Sequence, residues 1–177
     1  MELPARTRQF ILHWGEMASR WGINRTVAQI HALLFLSAKP LNAEELTELL
    51  SVSRSNVSTS LRELQGWGVV RVVHVMGDRR DHFECLPDVW EMFQAILDER
   101  KRRVIDPAID VTRQALGASA AADESDAYAR ERLQAMVDFL QMIANWYTQM
   151  RALPPEAIRE LLSSSGAGHS QAAGRRR

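Results

Sequence analysis

The chain has 177 residues, of which 46% are hydrophobic and 25% charged, as is ordinary for a globular protein with a buried core. Its 22 basic and 22 acidic residues give a formal net charge of zero, which argues against a surface covered in positive potential. No apolar run approaches the roughly 20 residues that span a bilayer, and no secretory signal is apparent, so we expect a cytoplasmic location.

Two amphipathic helices are predicted first. Apolar residues recur at helical spacing from residue 2 to about residue 20, and Gly22 ends this helix. A second helix is predicted from near Asn24 to Ala38, because Pro40 cannot continue it.

The next segment has the pattern of a helix-turn-helix. Asn42 is a good N-cap, and Glu45 can return a hydrogen bond to its backbone amide, an arrangement known as a capping box. Only Ser51 and Val52 separate this short helix from a second one that is capped by Ser53. Two short helices joined by so tight a turn predict a helix-turn-helix.

The helix that begins at Ser53 has a polar outer face. Its apolar residues Val57, Leu61 and Leu64 recur at i, i+4 and i+7 and are expected to face inward. Arginine and asparagine can bind guanine and adenine in the major groove, and hydroxyls can bind phosphates or bases. A merely solvated surface is the alternative, although poor helix formers crowded on one helix indicate a purpose beyond folding. The candidate DNA-binding residues here are Ser53, Arg54, Ser55, Asn56, Thr59 and Arg62.

A β-hairpin is predicted directly after this helix. Val69 to Val75 is dense in β-branched valine, and Asp81 to Leu86 alternates in hydrophobicity. Arg79 and Arg80 lie in the turn, where a wing would meet the minor groove or the phosphate backbone, and Asp78 can orient one of them. A charged turn that only aids solubility is the alternative.

Charge is unevenly distributed around these elements. Between Ser53 and Arg80 there are five arginines and two acidic residues, whereas residues 42–50 carry three glutamates and no basic residue. A local basic surface is therefore compatible with a neutral chain.

The second half of the chain is predicted to be helical. A long helix begins near Trp90, and Pro107 kinks or restarts it. Residues 117–125 are predicted to form a loop. From Asp126 to Arg151 a helix is apolar on so much of its circumference that it needs partners on two sides. A short last helix is predicted to open at Pro154.

These patterns predict a mostly α-helical fold with a small β-hairpin. We expect residues 1–23 to form an N-terminal helix that contributes to a dimer and residues 24–87 to form a winged helix-turn-helix DNA-binding domain. Residues 88–162 are expected to form a helical dimerisation region, and residues 163–177 have the composition of a disordered tail.

Several fragments between Ile30 and Phe83 share the spacing of a known family. They are Leu33-Leu34-Phe35-Leu36, Leu41-Asn42-Ala43-Glu44-Glu45-Leu46, Val52-Ser53-Arg54-Ser55-Asn56-Val57-Ser58, Leu61-Arg62-Glu63-Leu64, Trp67-Gly68-Val69-Val70 and Gly77-Asp78-Arg79-Arg80. These fragments resemble the GbsR branch of the MarR-type regulators. The resemblance implies a homodimer that binds operator DNA and usually represses. It also allows a small-molecule effector, whose identity the residues do not give.

Two positions depart from general helix-turn-helix patterns. Those patterns often have alanine in the first helix and glycine in the turn, where this chain has Thr47 and Ser51. The departure weakens a generic match and leaves the closer resemblance intact.

Dimerisation is also expected from the size of a DNA site. One recognition helix covers only a few base pairs, so two copies related by a twofold axis are normally needed for specificity. Completion of an intrachain core is the alternative for the apolar residues concerned. The candidate interface residues are Phe10, Trp14, Phe139, Met142, Trp146 and Met150.

Other functions have less support. A winged-helix adaptor that docks proteins without specific DNA binding is the alternative to a DNA-binding regulator. No nucleophile with a nearby base and no glycine-rich phosphate loop is recognisable, so we expect no enzyme and no cofactor. The histidines lack metal-ligand spacing, and the lone Cys85 is interpreted as a small buried hydrophobic residue rather than a redox sensor. The five tryptophans are interpreted as core and interface residues rather than a cage for an organic cation.

Overall fold

A computed structural model describes residues 3–118, 124–158 and 160. Its helices and strands are, in chain order, α1 (Ala5–Arg20), α2 (Arg25–Leu36), β1 (Leu41–Asn42), α3 (Ala43–Leu50), α4 (Arg54–Gly66), β2 (Val70–Val73), β3 (His82–Cys85), α5 (Val89–Arg100), α6 (Asp106–Ala118) and α7 (Glu124–Ala152). In the ranges so described, no helix combines the length and the apolar character that a membrane span requires. The mostly helical fold with a small antiparallel sheet confirms the predicted fold class.

The sheet has one strand more than the predicted hairpin. Strands β2 and β3 form the hairpin, with Val70 opposite Cys85, and the strand order is β1-β3-β2. In β1, Leu41 pairs with Phe83 and Asn42 pairs with His82. A strand of two residues is too short to show an alternating pattern, and for that reason the sequence indicated only a helix cap there.

The first helices begin and end close to the predicted positions. The side chain of Asn24 caps α2 by accepting hydrogen bonds from the amides of Thr26 and Val27. Gly22 has a φ of 76°, which glycine adopts readily, and the chain reverses there after α1. Helix α2 ends at Leu36, two residues earlier than predicted.

The chain divides into two compact units, Met1–Ile96 and Leu97–Arg177. In the first unit, α2 lies at the centre and packs against α1, α4 and β3. The core contains the apolar residues predicted to face inward from α4, together with side chains from α2 and from the sheet. Its largest fully buried side chains are Val27, Ile30, Leu41, Leu46, Val57, Leu64 and Val69.

The second unit contains the end of α5, then α6 and α7. A π-helical turn, Lys101–Ile105, separates α5 from α6, so the helix is interrupted just before Pro107, as predicted. Proline lacks the amide hydrogen that a regular helix needs, which accounts for the changed hydrogen-bond register. The π turn follows the buried Glu99, which pairs with Arg102 and Arg103.

Two other predictions fall largely on residues that the structure does not describe. The predicted loop includes residues 119–123, and the predicted tail at 163–177 lies wholly outside the described ranges. Gly117 itself belongs to α6. Residues 155–158 are helical, in agreement with a last helix that opens after Pro154.

The turn between α3 and α4 depends on Ser51. This residue has φ 53° and ψ 42°, a left-handed conformation that costs an L-amino acid roughly 1–2 kcal/mol. The amide of Val52 donates to the carbonyl of Thr47, and the Thr47 hydroxyl donates to the carbonyl of Ala43. The turn therefore has the geometry for which many helix-turn-helix sequences use glycine, with serine in its place.

His31 on α2 is a buried titratable group in the first unit. Its side chain is 4% exposed, lies against Trp14, and has no hydrogen-bond partner for Nε2 among the described residues. Burial lowers the pKa of His31 from 6.5 to about 4, because the charged imidazolium loses its hydration. The folded state therefore favours neutral His31.

We expect Ser51→Gly to raise the free energy of unfolding by about 0.5–1 kcal/mol, because glycine adopts the left-handed conformation without strain but loses more chain entropy. Thermal and urea unfolding measure the change. The matched control Ser55→Gly, inside α4, should lower stability by a similar amount. Equal destabilisation by both substitutions would contradict a strained turn.

We expect the first unit to lose stability as the pH falls from about 6.5 to about 4, because unfolding then allows His31 to bind a proton. The contribution at pH 4.5 is about 2–3 kcal/mol. Urea unfolding of the parent and of His31→Leu at pH 7.5 and 4.5 isolates the contribution of His31 to the free energy of unfolding, since both chains share the same carboxylates. The exposed His13, replaced by Gln, is the control. The same pH dependence in the parent and His31→Leu would refute the assignment.

Candidate nucleic-acid interface

Helix α4 presents the polar face that its sequence predicts. Ser53 is the N-cap and its hydroxyl accepts a hydrogen bond from the amide of Asn56 at 3.3 Å. The opposite face buries Val57, Leu61 and Leu64 in the core of the first unit. All the outward residues named from the sequence are exposed, namely Ser53, Arg54, Ser55, Asn56, Thr59 and Arg62.

The first turn of α4 combines a helix N-terminus with an arginine. Free amide groups and the helix dipole give such a terminus partial positive charge, which favours phosphate. The side chain of Arg54 adjoins it and is 76% exposed. Arg62 lies two turns later, with long contacts of 3.5 Å to the Ser58 carbonyl and the Thr59 hydroxyl. This face can therefore offer both charged and neutral hydrogen-bonding groups to a polyanion.

The turn of the hairpin between β2 and β3 is held together by Asp78. Its carboxylate accepts hydrogen bonds from Arg80 Nε at 2.9 Å and Arg80 Nη2 at 2.5 Å. These bonds hold the pKa of Asp78 well below its usual range and raise that of Arg80. The sequence predicted that Asp78 would orient one of the two arginines, and the contact confirms this for Arg80.

Arg79 differs from its neighbour. It is exposed, and no ion pair of its guanidinium occurs within the part of the chain that the structure describes. The two arginines of the turn are therefore in different states, one free and one bound.

His82 anchors the same turn to the sheet. It is buried at the start of β3, and its Nδ1 lies 3.0 Å from the carbonyl oxygen of Arg80. Its Nε2 lies 3.6 Å from Asp78 Oδ2. The ring thus contacts both residues that shape the turn, which ties the hairpin tip to the core of the first unit.

Glu44, near the start of α3, joins the hairpin to α4. Its Oε2 accepts from Arg80 Nη1 at 2.8 Å, and its Oε1 accepts from Arg54 Nη2 at 3.3 Å. Sequence reasoning did not assign Glu44 to the site. The glutamate-rich segment at 42–50 was a signal, but only the tertiary structure brings residues that lie 10 and 36 positions apart into contact with one carboxylate.

Met76 is a second feature of the hairpin that sequence reasoning passed over. Its side chain is fully exposed, and the neighbouring Val75 is 40% exposed. The hairpin tip therefore combines the free guanidinium of Arg79 with an apolar side chain.

The residues predicted for a dimer interface occur in both units. In α1, Phe10 is exposed and stacks on the half-buried Trp14, with ring centroids 5.5 Å apart. In α7, Phe139, Met142 and Trp146 are 53–59% exposed. Met150 shares their helix face at the helical spacing but is half-buried.

An open groove runs along α7 beside Met142 and Trp146. It has a volume of about 420 Å³ and is otherwise lined by Asp138, Gln141, Asn145 and Gln149. The exposed face of α7 is therefore an apolar stripe with a border of polar side chains.

Other candidate chemistry has little structural support. Cys85 is half-buried on β3, and burial raises the pKa of its thiol to about 11, so the reactive thiolate is scarce near neutral pH. Among the described residues, no group of three or more His, Cys, Asp or Glu side chains could hold a metal ion. Trp14 and Trp67 pack against the core of the first unit.

Comparisons with known proteins agree with this geometry. The MarR family model matches residues 21–81. The chain is 24% identical over 96 residues to YvaV of Bacillus subtilis (strain 168), which bears the name of an HTH-type transcriptional regulator, and the match covers 54% of each chain. It is 22% identical over 85 residues to the HTH-type transcriptional repressor OpcR of the same organism, covering 48% of this chain and 46% of OpcR.

The chain thus spans about half the length of the curated relatives that it matches. A crystal structure of a transcriptional regulator superposes with a TM-score of 0.67 at 25% identity, covering 82% of this chain and 95% of the other. Both curated relatives and the superposed structure are described as transcriptional regulators or repressors.

Proposed function

We propose that this chain, whose residues 21–81 match the MarR family model, is a transcriptional regulator of the winged-helix type that binds double-stranded DNA sequence-specifically. In this proposal α4 enters the major groove, and the hairpin is a wing at the minor groove or phosphate backbone. The observation that carries the proposal is the wholly exposed polar face of α4, with the wing tied to its first turn through Glu44.

The exposed residues of α4 fall into two chemical classes. Arg54 and Arg62 carry the charge that phosphates attract, and an arginine can also bind guanine through two hydrogen bonds. Asn56 is uncharged and can bind adenine through two hydrogen bonds, while the hydroxyls of Ser53, Ser55 and Thr59 suit phosphates or bases. We assign sequence reading mainly to Arg54 and Asn56.

The zero net charge of the chain limits how it can bind DNA. Without a broad positive surface, affinity must come from the few arginines of α4 and the wing and from the bases that they contact. The dependence of binding on salt should therefore be shallow, since it follows the number of phosphates neutralised.

We further propose a homodimer. One face of α7 carries an apolar stripe formed by Phe139, Met142 and Trp146. Burying this stripe against a second copy of the chain would remove apolar surface from water and so stabilise the dimer. Phe10 and Trp14 on α1 are proposed to contribute to the same dimer. Two copies related by a twofold axis would present two α4 helices to a palindromic site.

The finer assignment within the family is also a proposal. The fragments between Ile30 and Phe83 support the GbsR branch, and repression is supported by the name of the relative OpcR. The operator sequence can be obtained by selecting bound duplexes from a random pool.

We expect the selected duplex to reveal the separate roles of Arg54 and Asn56. Arg54→Ala should weaken binding to it by about 5- to 150-fold, the usual worth of a bidentate base contact. Asn56→Ala should weaken binding to it by a similar factor but leave binding to a scrambled duplex unchanged, because the amide carries no charge. Fluorescence anisotropy over a salt series measures the affinity of each variant for the two duplexes.

Two variants of residues outside the proposed DNA interface are the controls. Arg8→Ala on α1 removes the same charge as Arg54→Ala, and Gln65→Ala removes an amide from the far end of α4. Neither should change the affinity by more than about twofold. A protein that binds no duplex, or binds without dependence on salt, would instead favour the adaptor function.

We expect the protein at micromolar concentration to have twice the chain mass of 20.1 kDa in light scattering. Trp146→Asp should shift it to the monomer mass, because a carboxylate would be buried in the apolar contact. Val111→Asp is the matched control, since Val111 is 65% exposed on α6 and outside the proposed interface. A monomeric parent would rule out this dimer.

A further inference from the structure

Glu44 shares its two carboxylate oxygens between two arginines from different elements. Oε1 binds Arg54 at the start of α4, and Oε2 binds Arg80 in the wing. The side chain of Glu44 is half exposed, as is that of Arg80, while Arg54 is more exposed. These ion pairs are accessible to solvent, so each is weak enough to exchange for another acceptor.

Arg80 is bound on three of its nitrogens. Nε and Nη2 donate to Asp78, while Nη1 donates to Glu44. A planar guanidinium held on both sides by carboxylates has a fixed orientation and little remaining charge to offer a phosphate. Arg79, with no ion pair among the described residues, remains the free cation of the wing.

We propose that Glu44 is a specificity-determining positioning residue, whose carboxylate orients Arg54 and Arg80 and competes with DNA phosphates for both. This inference rests on the proposed DNA-binding function and deepens it. A duplex that offers only phosphates must displace a carboxylate that already neutralises Arg54. A duplex with guanine at the right place offers Arg54 two acceptors in fixed geometry, which compensates for the lost ion pair.

The two arginines of the wing then have different roles. Arg79 contacts DNA, and Arg80 is a positioning residue that links the wing to α4 through Glu44. The arrangement sets the position of the wing relative to the recognition helix before DNA arrives, which lowers the cost of ordering both on binding.

The chain provides a matched control for Glu44 one helical turn away. Glu48 lies on the same helix and is exposed, and no ion pair of its side chain occurs in the described ranges. Replacing either glutamate by glutamine changes the net charge of the chain by the same amount. Only Glu44→Gln removes the shared acceptor of Arg54 and Arg80.

The experiment measures the affinity of the parent, Glu44→Gln and Glu48→Gln for the selected duplex and for a scrambled duplex of equal length. We expect Glu44→Gln to bind the scrambled duplex more tightly and to lower the ratio of selected to scrambled affinity by about three- to fivefold, within the range of exposed ion pairs. Glu48→Gln should change both affinities equally and leave the ratio unchanged.

Two further variants separate positioning from charge. Arg79→Ala should reduce the slope of log affinity against log salt by about 1, as expected for one lost phosphate contact. Arg80→Lys keeps the charge but loses the planar fork, and it should lower the specificity ratio with the salt slope unchanged. Circular dichroism confirms that each variant is folded.

The outcomes distinguish the two proposals. Equal specificity ratios for Glu44→Gln and Glu48→Gln, in a parent that does bind the selected duplex, would overturn the role of Glu44 alone. Arg80→Ala should reduce the slope of log affinity against log salt by less than Arg79→Ala does, and an equal or larger reduction would overturn the division of roles within the wing. A parent that binds neither duplex would overturn the DNA-binding function itself and this inference with it.

Discussion

The one-sided burial of α4 determines the orientation of the whole candidate site. Val57, Leu61 and Leu64 are nearly inaccessible in the core of the first unit, so the helix cannot rotate without exposing them to water. The opposite face must then be solvent-exposed, and there the chain has hydroxyls, an amide and two arginines. The unfavourable helix propensity of these polar residues is tolerated because packing and not propensity holds the helix.

Electrostatics acts on this scaffold locally and not through total charge. The wing is tied to His82 at the sheet and to Glu44 at α3, so its position depends on both sides of the first unit. In a neutral chain, acidic side chains close to the arginines limit indiscriminate attraction to polyanions. Glu44 is therefore consistent with a site whose discrimination matters more than its bulk affinity.

The apolar stripe of α7 raises a separate physical problem. Single exposed apolar residues are common on protein surfaces, whereas several large ones on one helix face indicate a surface that is covered in use. A second copy of the chain could cover this stripe, and the same interface would also place two copies of α4 in one assembly. Formation of the dimer and recognition of a palindromic DNA site would then depend on the same twofold axis.

The sequence by itself determined the order and type of most elements, the start of α2 near Asn24, the caps Asn42 and Ser53, and the exposed face of α4. These follow from local rules of periodicity, capping and turn chemistry, which operate over a few residues. It also predicted the contact between Asp78 and one arginine, since the partners are two positions apart.

Only the tertiary structure decided features that join distant parts of the chain. Strand β1 exists because β3 pairs with it, and its two residues are too few for any pattern. Ser51 adopts a left-handed conformation between α3 and α4, which the intrinsic preference of serine does not predict. The contact of Glu44 with Arg54 and Arg80 likewise depends on folding, because no local rule relates residues so far apart in sequence.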